Sequence, residues 1–131
     1  MNTNMNGQVV HFEIPYDDTA RAKTFYTTVF GWQLEDVPNM EYVMARTVEV
    51  DENHMPKSAG AINGGMAPRT DTLKAPVVTV SVASIEDTIE KVTANGGSLV
   101  APKMPVMDMG WTAYVKDSEG NTIGLWQTKK A

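Results

Sequence analysis

Two residues able to hold or move a proton lie two positions apart near the start of the chain. They are His11 and Glu13, in Val9-Val10-His11-Phe12-Glu13-Ile14-Pro15. The stretch reads as a strand, so His11, Glu13 and Pro15 share one face and Phe12 and Ile14 the other. An imidazole titrates near neutral pH and a neighbouring carboxylate can tune it, which suits a general base. The plainer reading is a hydrogen-bonded strand histidine that orients the fold or a ligand. A buried carboxylate needs a partner, and Glu13 is expected to find Arg46 or another cation. Asn63 stands among glycines and offers an amide to a ligand, or marks a turn or bulge. Tyr42, Met44, Trp111, Gly124 and Trp126 are the candidate walls of a binding site, each also a plausible core residue. Gly124 would leave open space there. His54 sits in a polar loop and reads as solvated. No Ser-His-Asp order, phosphate-cradling glycine loop or zinc spacing is present.

Ordered elements must position these residues. After the first strand comes Thr19 to Phe30, with Ala22, Phe25, Tyr26, Val29 and Phe30 at i, i+3, i+4, i+7 and i+8. That is one apolar stripe, expected to bury itself on the Phe12/Ile14 face. Asp17 or Asp18 can cap the helix start and Gly31 its end. Strands are expected near Trp32–Glu35, Tyr42–Val48 and Ala59–Met66. The pattern then restarts: a β-branched strand from Val77, a helix with Ser84 as cap and Ile85, Ile89 and Val92 on one face, and a stop at Asn95-Gly96-Gly97. Short strands follow at Ser98–Val100, Trp111–Val115 and Thr122–Gln127, with an irregular segment from Lys103 to Met109. The order β-α-β-β-β thus occurs twice, with strand starts His11 and Val77 66 residues apart. The reading is one α+β domain over 1–131: a first βαβββ module at 8–66, a linker at 67–76 and a second module at 77–128. Each four-stranded sheet has one helix, so the other faces are expected to curve around a shared cup-shaped cleft.

Composition narrows the function. The 131 residues are 42% apolar, enough for a core, and include no cysteine, which excludes disulfides and thiolate metal sites. A net charge of −5 argues against non-specific nucleic-acid binding. No apolar run spans a bilayer, and the first residues show no targeting pattern, so a cytoplasmic protein without a membrane partner is expected. The nine methionines fill core gaps or line an adaptable apolar pocket.

The stretch HFEIP-x-DD-xx-RA-xx-FY-xx-VFGW, His11 to Trp32, and the stretch D-x-EGN-x-IGLW, Asp117 to Trp126, resemble the vicinal oxygen chelate superfamily. It includes glyoxalase I, bleomycin-resistance proteins and extradiol dioxygenases. The resemblance implies the glyoxalase-like fold, two βαβββ modules forming a cup, in agreement with the repeat. It implies a homodimer. In metal-dependent members each module gives one ligand from its first strand and one from its last. Carried over, these positions fall on His11, at or beside Asn63, on Val77 and on Gly124. Only His11 is a good ligand, whereas a carboxylate, a His and a Glu would be expected at the others. No metal and no other cofactor are therefore expected, and glyoxalase I and dioxygenase chemistry are discounted. The leading expectation is a metal-independent glyoxalase-like protein binding a small, partly apolar organic molecule. Three alternatives stay open: a lyase or isomerase using His11 and Glu13 for proton transfer, a drug- or metabolite-sequestering resistance protein, and a metalloenzyme with non-standard ligands. Whether the protein is catalytic is not decided by sequence.

Overall fold

The computed structural model describes residues 6–129. Residues 1–5 and 130–131 lie outside them. The chain is α+β, with eight strands and two helices in the order β1(Val9–Tyr16), α1(Thr19–Phe30), β2(Gln33–Asp36), β3(Val43–Arg46), β4(Gly64–Pro68), β5(Val77–Ser81), α2(Ile85–Ala94), β6(Ser98–Val106), β7(Gly110–Lys116) and β8(Thr122–Thr128). It divides into two compact units. One is His11–Pro76, the N-terminal module. The other comprises the residues from Val77 onward together with those up to Val10, the C-terminal module. The segment before His11 joins the second unit through β5: the Gly7 N–H donates to Ser81 O (2.6 Å) and the Ser81 N–H to Gln8 O (2.8 Å).

Both modules use one topology. In the N-terminal module the strand order is β2-β3-β4-β1, with β1 parallel to β4 and the other pairs antiparallel. In the C-terminal module it is β5-β8-β7-β6, with β5 parallel to β8. Two segments differ from the sequence reading. β4 continues to Pro68, because Ala67 and Pro68 pair with Pro15 and Tyr16, so the connection between modules starts later than residue 67. The segment around Lys103 is strand: β6 runs unbroken to Val106 and absorbs its irregularity as register shifts between Leu99 and Met104. A bulge keeps a strand paired through residues that break strict alternation, which sequence periodicity cannot register.

The helices differ in how they pack. In α2, Ser84 accepts from the Asp87 N–H (3.1 Å), Glu86 and Asp87 stand at the positive end and Lys91 at the negative end. Its apolar face meets the sheet: Ile85, fully buried, packs with Ala113, Val115 and Leu125, and Ile89 and Val92 join them. In α1, Asp18 accepts from the Arg21 N–H (3.0 Å) and Gly31, at φ 73°, closes the helix with its N–H on Thr27 O and Tyr26 O. The expected burial of the whole α1 stripe does not occur. The helix rolls so that Ala22 and Tyr26 pack on the core of Val43, Ala45 and Met66, while Lys23 pairs with the exposed Asp36 (2.6 Å). That rotation leaves Phe25, Val29 and Phe30 more than half exposed. The aromatics pack on one another instead, with Tyr26 stacked on Trp32 at 4.9 Å and Phe25 edge-on to Tyr26 at 5.1 Å. The Phe12/Ile14 face does lie on the helix side, as expected.

The two helices predict opposite responses to truncation. Ile85→Ala is expected to cost about 2–5 kcal/mol, since it opens a cavity in a closed core. Val29→Ala, at an exposed position, is expected to stay within about 0.5 kcal/mol. Urea unfolding followed by far-UV circular dichroism measures both.

Candidate functional site

β1 carries His11, Glu13 and Pro15 on the sheet face turned away from α1. The register Glu13↔Gly65 and Gly65↔Met44 sets three residues in one row across β1, β4 and β3. Residues opposite one another on paired strands share a face, so Glu13 and Met44 flank a glycine. Gly65 has no side chain, and the phenol of Tyr42 occupies the space: a Cβ there would land on the ring and hydroxyl. Tyr42 thereby spans the row. Its hydroxyl donates to Glu13 Oε2 (2.8 Å) and lies 2.8 Å from His11 Nε2. Gly64, one residue earlier, faces the other way and makes room for Phe12.

This chain of contacts fixes proton positions. A phenol has one proton, and it points at the Glu13 carboxylate. The His11 contact is then a donation from Nε2–H to the Tyr42 oxygen, which leaves the Nδ1 lone pair as the acceptor of the ring. Burial pushes the His11 pKa below its ordinary 6.5, and outweighs the attraction of Glu13. The imidazole is therefore neutral at physiological pH, with a basic nitrogen. Glu13 itself is buried. It accepts from the Tyr42 hydroxyl, and Arg46 stands opposite Gln33 at the end of β3.

The other candidates fall elsewhere. Asn63 is a clasp: its Oδ1 accepts from the Thr47 N–H (2.7 Å), the Val48 N–H (3.0 Å) and the Thr47 hydroxyl (3.2 Å), and its Nδ2 donates to Val48 O. Those bonds hold the end of β3 to the start of β4 and take up the amide that was considered for a ligand. Trp111 is a correction. It pairs with Gln127 and packs on the α2 core of the C-terminal module, under the ammonium of Lys103 at 4.6 Å. The alternation of β7 thus sends it to the helix side and sends Thr112 and Tyr114 to the face that carries Trp126 and Gly124. Gly124 opens no space either: a Cβ there would meet the Thr79 hydroxyl at 2.7 Å. The residues sequence reasoning missed are Gly65, Thr79 and Tyr114. The first had a signal, the glycines that surround Asn63. The others had none, since a Thr and a Tyr in strands are ordinary. The groove found in the N-terminal module, about 300 Å³, lies apart from this row, between the end of β1 and α1, and is lined by Tyr16, Arg21, Phe25 and Arg69 among others.

The donor set at the metal-ligand positions implied by resemblance does not fit a divalent ion. His11 Nε2 is engaged by Tyr42, the Asn63 amide by backbone, Val77 is an apolar core residue and Gly124 has no side chain. Among the described residues no group of three or more His, Asp or Glu is placed to hold a metal.

Comparison with known proteins places this geometry. A family model described as bleomycin resistance protein-like N-terminal matches residues 8–47. CFP32 of Mycobacterium tuberculosis (strain CDC 1551 / Oshkosh), provisionally named a glyoxylase, is 30% identical over 118 residues, 86% of this chain and 42% of the relative. A glyoxylase-like domain-containing protein of Didymella fabae is 27% identical over 131 residues, covering 92% of this chain and 94% of that one. The crystal structure of a glyoxalase/bleomycin resistance protein/dioxygenase superfamily member from Vibrio splendidus 12B01 aligns with a TM-score of 0.60 at 16% identity, over 93% of this chain and 99% of that chain. These likenesses, together with the paired-module fold, support the vicinal oxygen chelate superfamily. The chain spans 42% of the length of the mycobacterial relatives that it matches. The superfamily's fold accounts for the paired modules, while the row His11, Tyr42 and Glu13 is read from this chain's own side chains.

Two outcomes follow from the row. Tyr42→Phe removes a donor from a buried carboxylate and is expected to cost about 1–3 kcal/mol. Because the folded pKa of His11 is depressed, its stabilising contribution is complete above pH 6.5 and is lost as pH falls through the folded value. Stability should therefore decline on acidification below pH 6.5, and His11→Gln should flatten that part of the profile. Urea midpoints between pH 5 and 8, with the His11 ring protons followed by NMR, test this; a His11 pKa above 6.5 would contradict it.

Proposed function

We propose that this chain is a metal-independent, glyoxalase-like protein that takes a small, partly apolar organic molecule on the sheet face carrying His11. The observation that carries the reading is the hydrogen-bonded row from Glu13 through Tyr42 to His11. It holds a neutral imidazole in one tautomer, with Nδ1 as an acceptor on the sheet face that also carries Met44. A few placed polar groups among apolar walls are how small-molecule sites are usually made. The donor chemistry at His11, Asn63, Val77 and Gly124 supports metal independence.

The same row favours a second reading, proton transfer. Nδ1 is the group that would accept a proton from an acidic C–H of a bound carbonyl compound. The Glu13 carboxylate, through the Tyr42 hydroxyl, would stabilise the imidazolium that forms. Glu13 and Tyr42 act here as positioning residues. A sequestering role needs only the binding step. No nucleic-acid or membrane partner belongs to this proposal; no helix among the described residues is long and apolar enough to cross a membrane. A homodimer does belong to it, because the exposed Phe25, Val29 and Phe30 give a surface that symmetric association would cover. Sedimentation at micromolar concentration should then report twice the 14.3 kDa chain mass.

A screen of small aromatic and aliphatic carbonyl compounds, acids and amines, read by calorimetry and, in the unsubstituted protein, by the His11 ring signals, tests the site. At least one ligand should bind saturably with a Kd in the range of about 1 μM to 1 mM. His11→Ala should weaken it tenfold or more, and a chelator should leave it unchanged. Binding that vanishes with chelation and returns with zinc or manganese would overturn metal independence. Deuterium uptake at the acidic carbon of the bound compound, lost in His11→Ala, would select the proton-transfer reading over sequestration.

A further inference from the structure

The hairpin between β6 and β7 carries three thioethers within six residues: Met104, Met107 and Met109. All three are about half exposed or more, at 48%, 62% and 52%. Val106 and Gly110 are the last paired residues, so Met107-Asp108-Met109 is a three-residue loop, closed by the Met109 N–H on Val106 O (3.0 Å). Met107 occupies the left-handed region at φ 46°, where glycine or asparagine is the ordinary occupant. Met104 lies two residues before Val106 on the same strand face, about 7 Å along the chain. Its row continues through Thr112 to Trp126. The indole of Trp126 is drawn over the hairpin: a Cβ on Gly110 would meet its Cζ2 at 2.8 Å and its Cη2 at 3.0 Å, and its Nε1 donates to Thr128. The cation of this strand is turned away, since Lys103 points to the other face, onto Glu86 (2.9 Å) and Trp111. Asp108 adds a carboxylate to the loop.

Thioethers are soft, neutral donors. They bind hard divalent ions poorly and select monovalent coinage metals. Their unbranched side chains have enough freedom to converge from a strand and both ends of a short loop. An aromatic face beside them favours a bound cation. We propose that the β6–β7 hairpin is a soft-metal site, in which Met104, Met107 and Met109 hold one Cu(I) or Ag(I) ion beside the face of Trp126. Binding involves no redox step, and it is independent of the His11 row. Those residues belong to the other module.

The test is titration of the whole protein with silver nitrate in chloride-free buffer, read by calorimetry and tryptophan emission. Cu(I) is then measured by competition with bicinchoninate. One equivalent of silver should bind and quench emission, and Trp126→Phe should remove most of the quench. The pair Met104→Leu and Met109→Leu leaves the strained loop residue in place and should weaken binding tenfold or more. The pair Met40→Leu and Met55→Leu, at similarly exposed methionines, and His54→Gln should leave it unchanged. The proposal is overturned by the absence of saturable silver binding. It is equally overturned by binding that survives the hairpin substitutions, or by binding that the Met40/Met55 pair or His54→Gln abolishes.

Discussion

A carboxylate inside a sheet face has to be given a hydrogen-bond donor, and this requirement at Glu13 organises the N-terminal module. Leaving a buried charged group unpartnered costs more than a surface interaction can return. Tyr42 meets the need from the position just before β3, two strands away from β1. Its hydroxyl can cross that distance only because Gly65, on the strand between, presents no side chain. Once the phenol proton is committed to Glu13, the tautomer of His11 is decided as well. One buried charge thus selects a tyrosine, a glycine and a protonation state.

The C-terminal module repeats the geometry without the charge. Thr79 lies 66 residues after Glu13 and pairs with Gly124, as Glu13 pairs with Gly65. In both modules the glycine of the fourth strand receives a neighbouring side chain, the Tyr42 phenol in one and the Thr79 hydroxyl in the other. The duplicated fold therefore carries two different chemistries. A row that can hold and orient a proton stands in the first module. In the second, Thr79 shares a sheet face with Tyr114 and Trp126. A shared fold says little about function until such rows are read one by one.

The helices show how far local pattern reaches. α2 was legible because its three apolar positions, its cap and its charges all agree, and the structure buries the face they define. α1 has an equally regular stripe, yet it rests on Ala22, Lys23 and Tyr26 and leaves Phe25 and Val29 outside. Periodicity gives the width of an apolar stripe, but the roll of the helix about its axis depends on what the sheet offers. Here the core of Val43, Ala45 and Met66 takes Ala22 and Tyr26, and Trp32 offers a ring for Tyr26 to stack on.

The sequence by itself determined the α+β class, the doubled β-α-β-β-β order and the face of β1 shared by His11 and Glu13. These depend on alternation, caps and breakers within a few residues of one another. Only the tertiary structure decided what those side chains meet. That Tyr42 joins Glu13 to His11 depends on register across three strands. The assignment of Asn63 to a backbone clasp and of Trp111 to the α2 side depends on pairings that local spacing does not encode. Gly124 looked like open space in sequence, and like Gly65 it is filled, because an absent side chain leaves room for whichever neighbour the fold brings.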